Sequence, residues 1–427
     1  MITARAWTGK HYAVYGLARS GLATGDALLA SGAQVTAWDA NAEARAKLPS
    51  GAELANLDTA DLSQFDSLVV TPGLPLIRHP IARRARDAGV EIIGDIELFA
   101  RARPELPPHK VVGITGTNGK STTTALVHHI LQTAGVPSLM GGNIGLPTLA
   151  QDPLPEGGVY VLELSSYQLD LTQNLDCDVA VLLNITPDHL DRYESFEAYE
   201  TSKLRLFQMQ DIGYHLAVLT EPWPVRFVIE EGVPNVNIAW VDPQTVVAGQ
   251  FNWPALQGPH NLENAACAMA VCHELGVADQ TIEKGLRTYP GLPHRMERVR
   301  EKDGVIFIND SKATNPTAAA PALAAFERIR WICGGQAKSD NLDECAPSFG
   351  HVRKAYTIGE AGELFASLLS PHMPVAQCET LERAVGEAAA EAQSGDTVLL
   401  SPACASFDQY RDFEHRGDEF RRLVEGL

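Results

Sequence analysis

The sequence predicts an α/β protein of three domains, each organised around a mostly parallel sheet. Three observations lead there. Short apolar runs of strand length alternate with helical stretches; glycine-rich turns follow several of those runs; and two breaker clusters, at 101–108 and 291–293, divide the chain. At 427 residues the chain also exceeds one typical domain.

The first segment, 1–103, opens with a strand at 12–15, the turn Gly16-Leu17-Ala18-Arg19-Ser20-Gly21 and a helix that ends at Ser31-Gly32. A second strand covers 34–39 and ends on Asp39, and a third at 67–70 runs into Thr71-Pro72-Gly73. Such a Rossmann-like arrangement places ligands at the carboxyl ends of the strands. The polar, proline-rich stretch 101–108 reads as a linker. The central segment, 104–291, holds strands at 110–114, 159–164 and 179–183. The last segment, 292–427, is again Rossmann-like, with strands at 305–308, 329–333, 355–358 and 397–400. No internal repeat stands out, and the poorly periodic stretch 221–253 is assigned no element.

Apolar residues make up 45% and charged residues 20%, the balance of a soluble globular protein. Fifty-three acidic against 34 basic side chains leave a formal charge of −19. That charge argues against nucleic acid or an anionic membrane as a partner, although local cations can still serve an anionic small substrate. The seven cysteines are scattered without a C-x-x-C pair, which suits buried thiols in a reducing compartment. No signal-like N-terminus and no membrane-length apolar run is evident, so a cytoplasmic location is expected.

The sharpest local signal is Gly116-Thr117-Asn118-Gly119-Lys120-Ser121-Thr122, set between the strand at 110–114 and a helix. Backbone N–H groups of such a turn can face a triphosphate, the helix N-terminus adds partial positive charge, and Lys120 can reach the terminal phosphates. The hydroxyl of Ser121 is placed to ligate Mg²⁺. The usual spacing would put a glycine at 114, where this chain has Ile114, so the loop is a variant with glycines at 113, 116 and 119. A switch GTPase, a transport ATPase or a kinase could begin in this way.

Further motifs narrow the choice: Leu162-Glu163-Leu164-Ser165-Ser166-Tyr167-Gln168, Asn184-Ile185-Thr186-Pro187-Asp188-His189-Leu190-Asp191-Arg192, and Gly258-Pro259-His260-Asn261. Pro293-His294-Arg295-Met296-Glu297, Asn309-Asp310-Ser311-Lys312-Ala313-Thr314 and Ser401-Pro402-Ala403-Cys404-Ala405-Ser406-Phe407 follow in that order. In sequence and spacing they resemble the Mur ligase family, and within it the glutamate-adding branch. The resemblance implies ATP-dependent ligation of D-glutamate to UDP-N-acetylmuramoyl-L-alanine through an acyl phosphate, in peptidoglycan precursor synthesis. It implies ATP and two Mg²⁺ ions, with a monomeric protein and neither nucleic acid nor membrane as partner.

Residue by residue, the resemblance assigns catalysis to Lys120, Glu163, His189, Lys203, His294, Asp310 and Lys312. Glu163 would hold Mg²⁺ with Ser121, and His189 a second metal, although a lone histidine is more often structural. Lys203 alone reads as a solvated lysine; the resemblance makes it a CO₂ adduct, a carbamate facing the metals, which requires burial to keep its amine neutral. Asn261 resembles the adenine-recognising residue, shared with its neighbours or serving as a helix cap, and Arg295 and Asp310 resemble further ATP contacts. A hinge near Gly291 is expected. The UDP-substrate positions are Gly16, Leu17, Ala18, Arg19, Ser20, Asp39, Thr71, Pro72, Gly73 and Asn143, with Asp39 also readable as an ordinary strand-ending acid. The glutamate positions are Thr314, Lys338, Ser406, Phe407 and Phe413, where the family pattern more often shows Leu at 407. An alternative is a relative adding L-glutamate or another amino acid to the same nucleotide.

Overall fold

The fold is a computed structural model that describes residues 1–188, 192–210, 216–219 and 237–427. The described residues form three sheets. The first is formed by β1 (His11–Tyr15), β2 (Gln34–Trp38), β3 (Glu53–Leu54), β4 (Ser67–Val70) and β5 (Glu91–Ile93), parallel throughout in the order β3-β2-β1-β4-β5. The second contains β6 (His109–Thr115), β7 (Ser138–Gly142), β8 (Gly158–Glu163), β9 (Val179–Leu182), β10 (Leu216–Leu219) and β11 (Asn237–Trp240). It too is parallel, in the order β11-β10-β9-β6-β8-β7. The third contains β12 (Glu297–Lys302), β13 (Val305–Asn309), β14 (Ile329–Gly334), β15 (Val352–Ile358), β16 (Val375–Glu379) and β17 (Thr397–Leu400). Its order is β12-β13-β17-β14-β15-β16, with only the β12–β13 pair antiparallel.

The strands legible in the sequence are the central ones. They are covered by helices on both faces, so they read as unbroken apolar runs, and every residue of β4, β8, β9 and β17 is buried. The unassigned strands are edge or near-edge members. β12 is Glu-Arg-Val-Arg-Glu-Lys, a charged edge that resists pairing with another chain. β7 is small and glycine-rich, and carries little strand signal.

One sequence expectation is corrected. Residues 101–108 are mostly not a linker: the helix Asp95–Ala102 runs into a 3₁₀ turn at Arg103–Glu105. Arg101 lies on that helix and pairs with Glu91 at 2.6 Å and Glu97 at 2.8 Å. Its polarity signals a half-buried ion network anchored on the buried Glu97, not solvated chain.

The chain divides into two compact units, Met1–Pro243 with Glu263–Gly285, and Gln244–Leu262 with Leu286–Leu427. The first two sheets share the first unit, and the third sheet lies in the second. In the first unit Phe99 and Tyr160 are fully buried with ring centroids 4.9 Å apart, a contact between the helix Asp95–Ala102 and β8. Aromatic pairs of this kind add about 0.5–1.5 kcal/mol beyond their area burial. All seven cysteines are buried free thiols. Among the described residues no helix is long and apolar enough to cross a membrane.

Candidate active site

The phosphate loop leaves β6 and enters the helix Lys120–Thr133. Its shape needs glycine at 119, where φ is +83° and a Cβ atom would stand 2.2 Å from Oδ1 of Asn264. Asn184 at the end of β9 holds the loop open, accepting Thr117 N–H on its carbonyl and Asn118 N–H on its side chain, both at 2.8 Å. Lys120 folds back and donates to the carbonyls of Gly116 and Thr117 at 2.8 and 2.7 Å. Ser121 and Thr122 are buried at the first turn of the helix.

Parallel pairing places Glu163 beside Ile114, just before the loop. The carboxylate is only 2% exposed. Oε1 accepts from Nδ2 of Asn143 at 3.0 Å, while Oε2 is buried without a hydrogen-bond partner. An orphaned carboxylate oxygen beside a phosphate loop fits a divalent cation, with the Ser121 hydroxyl as a further oxygen donor. Among the described residues no cluster of three His, Cys, Asp or Glu side chains could hold a metal alone, so any site here also draws on hydroxyl, phosphate or other oxygen donors.

Lys203 is no solvated lysine. It projects from the helix Phe196–Gln208, is 1% exposed, donates to the Gly116 carbonyl at 2.8 Å and lies 4.6 Å over the Tyr199 ring. Burial, helped by the neighbouring Lys120 ammonium, holds its amine well below the usual lysine value, against the weaker pull of Asp188 and Asp170. The predicted ligand His189 lies outside the described residues.

In the first sheet, β1, β2 and β4 are neighbours, so the turn Gly16–Ser20, Asp39 and Thr71-Pro72-Gly73 emerge together at its carboxyl edge. Asp39 braces this edge locally, its oxygens accepting the N–H groups of Leu17 and Asn41 at 2.7 and 2.8 Å. Gly16 tolerates no side chain, since a Cβ would meet Oγ1 of Thr71 at 2.3 Å. Two arginines connect this edge to the second sheet: Arg19 donates to the Gly145 carbonyl at 2.9 Å and Arg192 to the Gly73 carbonyl at 2.7 Å. Arg192 also stacks on Tyr167 at 5.0 Å.

In the second unit the third sheet gathers the remaining positions at its strand exits. Asp310 follows β13; its carboxylate accepts Ser401 Oγ–H at 2.8 Å and Met296 N–H at 3.2 Å. Burial pushes its pKa up to about 7, against the pull of Ser401 and Arg295. Arg295 carries a buried Nε with no hydrogen-bond partner, a donor suited to an anion. His294 sits at φ +61° with its ring against Gly417, where a Cβ would come within 2.1 Å of Nδ1. Asn309 donates to Nδ1 at 3.1 Å, which leaves the ring proton on Nε2, 3.5 Å from Asp418. Burial lowers the His294 pKa, with Glu297 and Asp418 opposing. The Lys312 ammonium lies 5.5 Å over the Phe413 ring, and the Lys312 backbone N–H donates to the His294 carbonyl at 2.9 Å.

The Lys338 loop is bound to the Ser406 loop by paired backbone hydrogen bonds between Gln336 and Ala405, both 2.9 Å. Lys338 is exposed, Ser406 is buried and Phe407 is 68% exposed. Thr314 is half-buried just before the helix Pro316–Ala324. Asn261 lines a cleft of about 340 Å³ in the second unit, with Phe251, Met296, Ile306 and Phe326.

Two residues were missed by sequence reasoning. Asn264 stands against the phosphate loop, 3.2 Å from Thr123 Oγ1, and its place three residues after Asn261 on the same helix was a usable signal. Arg416 is 1% exposed and donates to Ser311 Oγ and to the carbonyls of Ser311, Cys404 and Ala405. It falls on the buried face that Phe420 and Val424 mark on its helix, and an arginine in phase with that stripe was legible.

A glycine-framed phosphate loop, a buried acid with one oxygen unsatisfied, and strand exits rich in anion donors define an α/β enzyme that uses a nucleoside triphosphate. The Mur ligase middle domain matches residues 114–242, the Mur ligase glutamate ligase domain 294–404, and the Mur ligase MurD-like N-terminal domain 10–94. The chain is 58% identical to the UDP-N-acetylmuramoylalanine--D-glutamate ligase of Novosphingobium aromaticivorans, over all of this chain and 97% of the relative. It is 53% identical to the enzyme of the same name from Zymomonas mobilis, over the whole of both chains. Among solved structures it resembles the UDP-N-acetylmuramate-alanine ligase MurC of Thermotoga maritima, at TM-score 0.59 and 16% identity over 98% of this chain and 99% of that one. A MurF ligase from the same organism, in complex with ADP, also matches at TM-score 0.59 and 17% identity, over 99% and 97%. The chain belongs to the Mur ligase family.

Proposed function

We propose that this protein joins D-glutamate to UDP-N-acetylmuramoyl-L-alanine at the expense of ATP, a step in peptidoglycan precursor synthesis. The observation that carries the chemistry is the buried Glu163 carboxylate, one oxygen unsatisfied, beside the Gly116–Ser121 loop. The choice of amino acid and acceptor is supported by the full-length relatives of that name.

In the reaction the alanyl carboxylate of the acceptor attacks the γ-phosphorus of ATP, giving an acyl phosphate and ADP. The glutamate amine then adds to the acyl carbon, loses a proton, and phosphate leaves the tetrahedral intermediate as the amide forms. Charge management is the main demand on the protein. Lys120 and the loop N–H groups would receive the phosphates once Lys120 leaves its own carbonyls. Glu163 and Ser121 would hold Mg²⁺, with His189 at a second ion; bound magnesium neutralises phosphate charge. Arg295, Asp310 and Lys312 would contact the nucleotide, Asn261 and its cleft the adenine, and His294 the reacting centre. Gly16–Ser20, Asp39, Thr71–Gly73 and Asn143 would receive the UDP-sugar, with Asp39 acting through the turn it braces. Thr314, Lys338, Ser406, Phe407 and Phe413 would receive glutamate, the exposed Lys338 ammonium pairing with its side-chain carboxylate.

Lys203 would react with CO₂ as the neutral amine that its burial favours, forming a carbamate toward the metals. We further propose domain limits at 1–103, 104–291 and 292–427, supported by one sheet in each, and a monomer working in the cytoplasm. The deciding experiment is ADP release by the purified protein with UDP-N-acetylmuramoyl-L-alanine and either glutamate isomer. Turnover with the D isomer alone is expected; turnover only with L-glutamate or another amino acid would replace the substrate assignment.

A further inference from the structure

The end of β7 bends closely over the end of β8. Gly142 pairs with Glu163 across the strands and takes φ +84°, where a Cβ would lie 2.2 Å from the Glu163 carbonyl oxygen. That close approach, open to glycine alone, lets the next residue grip Glu163 twice. Asn143 N–H donates to the Glu163 carbonyl at 2.9 Å, and Asn143 Nδ2 donates to Oε1 at 3.0 Å. The side-chain bond restrains the carboxylate through Oε1, and its other oxygen, Oε2, is the buried, unpartnered one. A carboxylate with one oxygen anchored presents the other as a single, oriented acceptor for a cation.

We infer that Asn143 is a positioning residue for the metal site: it fixes the Glu163 carboxylate through Oε1 so that Oε2 alone meets the divalent ion. The inference rests on the reading that Glu163 holds the metal. It gives Asn143 a role distinct from the substrate contact expected of it, and one that exists before any substrate arrives.

The test is Mn²⁺ alone, titrated into the full-length protein without nucleotide or UDP-sugar and followed by the loss of the free-ion electron paramagnetic resonance signal. Three variants are compared. Glu163→Gln removes the ligand; Asn143→Leu keeps nearly the same shape and the backbone hydrogen bond but removes the Nδ2 donor; Asn143→Ala does the same with less bulk. Circular dichroism and thermal melts on each report folding. Asn143→Leu and Asn143→Ala are expected to weaken Mn²⁺ binding about tenfold, the usual scale for a group that orients a ligand, with Glu163→Gln weaker still. In folded variants, wild-type Mn²⁺ affinity in both Asn143 changes beside a weakened Glu163→Gln would overturn the inference. Wild-type affinity in Glu163→Gln would overturn the assignment of Glu163 as ligand. If Asn143→Leu does not fold, the Asn143→Ala titration decides alone.

Discussion

Replacing Asp310 with asparagine should make the second unit more stable at alkaline pH while lowering ligase activity. The Asp310 carboxyl is buried, and burial raises its pKa from 3.8 to about 7. At about 1.4 kcal/mol per pKa unit, keeping it ionised above neutrality costs roughly 4 kcal/mol relative to the unfolded chain. The folded value lies above the unfolded one. The favourable contribution is therefore complete below a pH of about 4 and is lost as pH rises through about 7. Asparagine fits the same hydrogen bonds: its oxygen accepts Met296 N–H, and its amide donates to the Ser401 hydroxyl, which can turn to accept. Urea unfolding of both proteins between about pH 4.5 and pH 8.5 measures the effect. The variant should lie within about 1 kcal/mol of the wild type at the acid end and gain about 2–4 kcal/mol at the alkaline end. A stability difference that does not change with pH, or a wild type more stable at pH of about 8, would refute the reasoning. The lost activity follows because an amide is a weaker hydrogen-bond acceptor than a carboxylate for the nucleotide contact proposed for Asp310.

Three further outcomes are expected. Gly119→Ala places a methyl 2.2 Å from Asn264 Oδ1 at a left-handed φ, so ATP affinity in a fluorescent-nucleotide titration should fall more than about tenfold, with about 1–3 kcal/mol of destabilisation; unchanged affinity contradicts this account of the loop. Arg192→Ala removes the hydrogen bond to the Gly73 carbonyl and the stacking on Tyr167, and should raise KM for the UDP substrate about tenfold, the worth of one charge-assisted bond, with kcat nearly unchanged; a loss confined to kcat would show that Arg192 acts elsewhere. Lys203→Ala should lose activity and regain part of it with short-chain carboxylates, and wild-type protein in labelled bicarbonate should show a carbamate carbon by NMR that is absent from the variant; an unlabelled, fully rescue-insensitive Lys203 would end the carbamate proposal.

How much of this was legible in the sequence depended on burial. The strands that carry the loop, Glu163 and Asp310 are central, continuous apolar runs followed by small or polar residues, and they were readable. Edge strands such as β12 were not, because an exposed charged edge has the composition of a loop. Site residues that act through a motif, such as Lys120, could be numbered in advance. Residues whose role depends on a neighbour farther along the chain could not: Asp39 is occupied with Leu17, Asn143 is bound to Glu163, and Asn264 meets Gly119 across 145 positions of sequence. Lys203 shows the limit most plainly, since a local window gives a solvated lysine and only the packed helix gives a buried amine.

Arg416 carries its charge inside the second unit among a hydroxyl and three carbonyl oxygens contributed by Ser311, Cys404 and Ala405. The protein thus gives this guanidinium an internal substitute for a hydration shell, built from dipoles that neither gain nor lose protons. Burial lowers its pKa only to about 10, so the cation persists throughout the neutral range and its acceptors do not titrate. The junction of the Ser311 and Cys404 segments is in that sense buffered: acidification that would neutralise a carboxylate partner leaves this fastening untouched, and the loops beyond it, which lead to Lys312 and Ser406, keep their spacing.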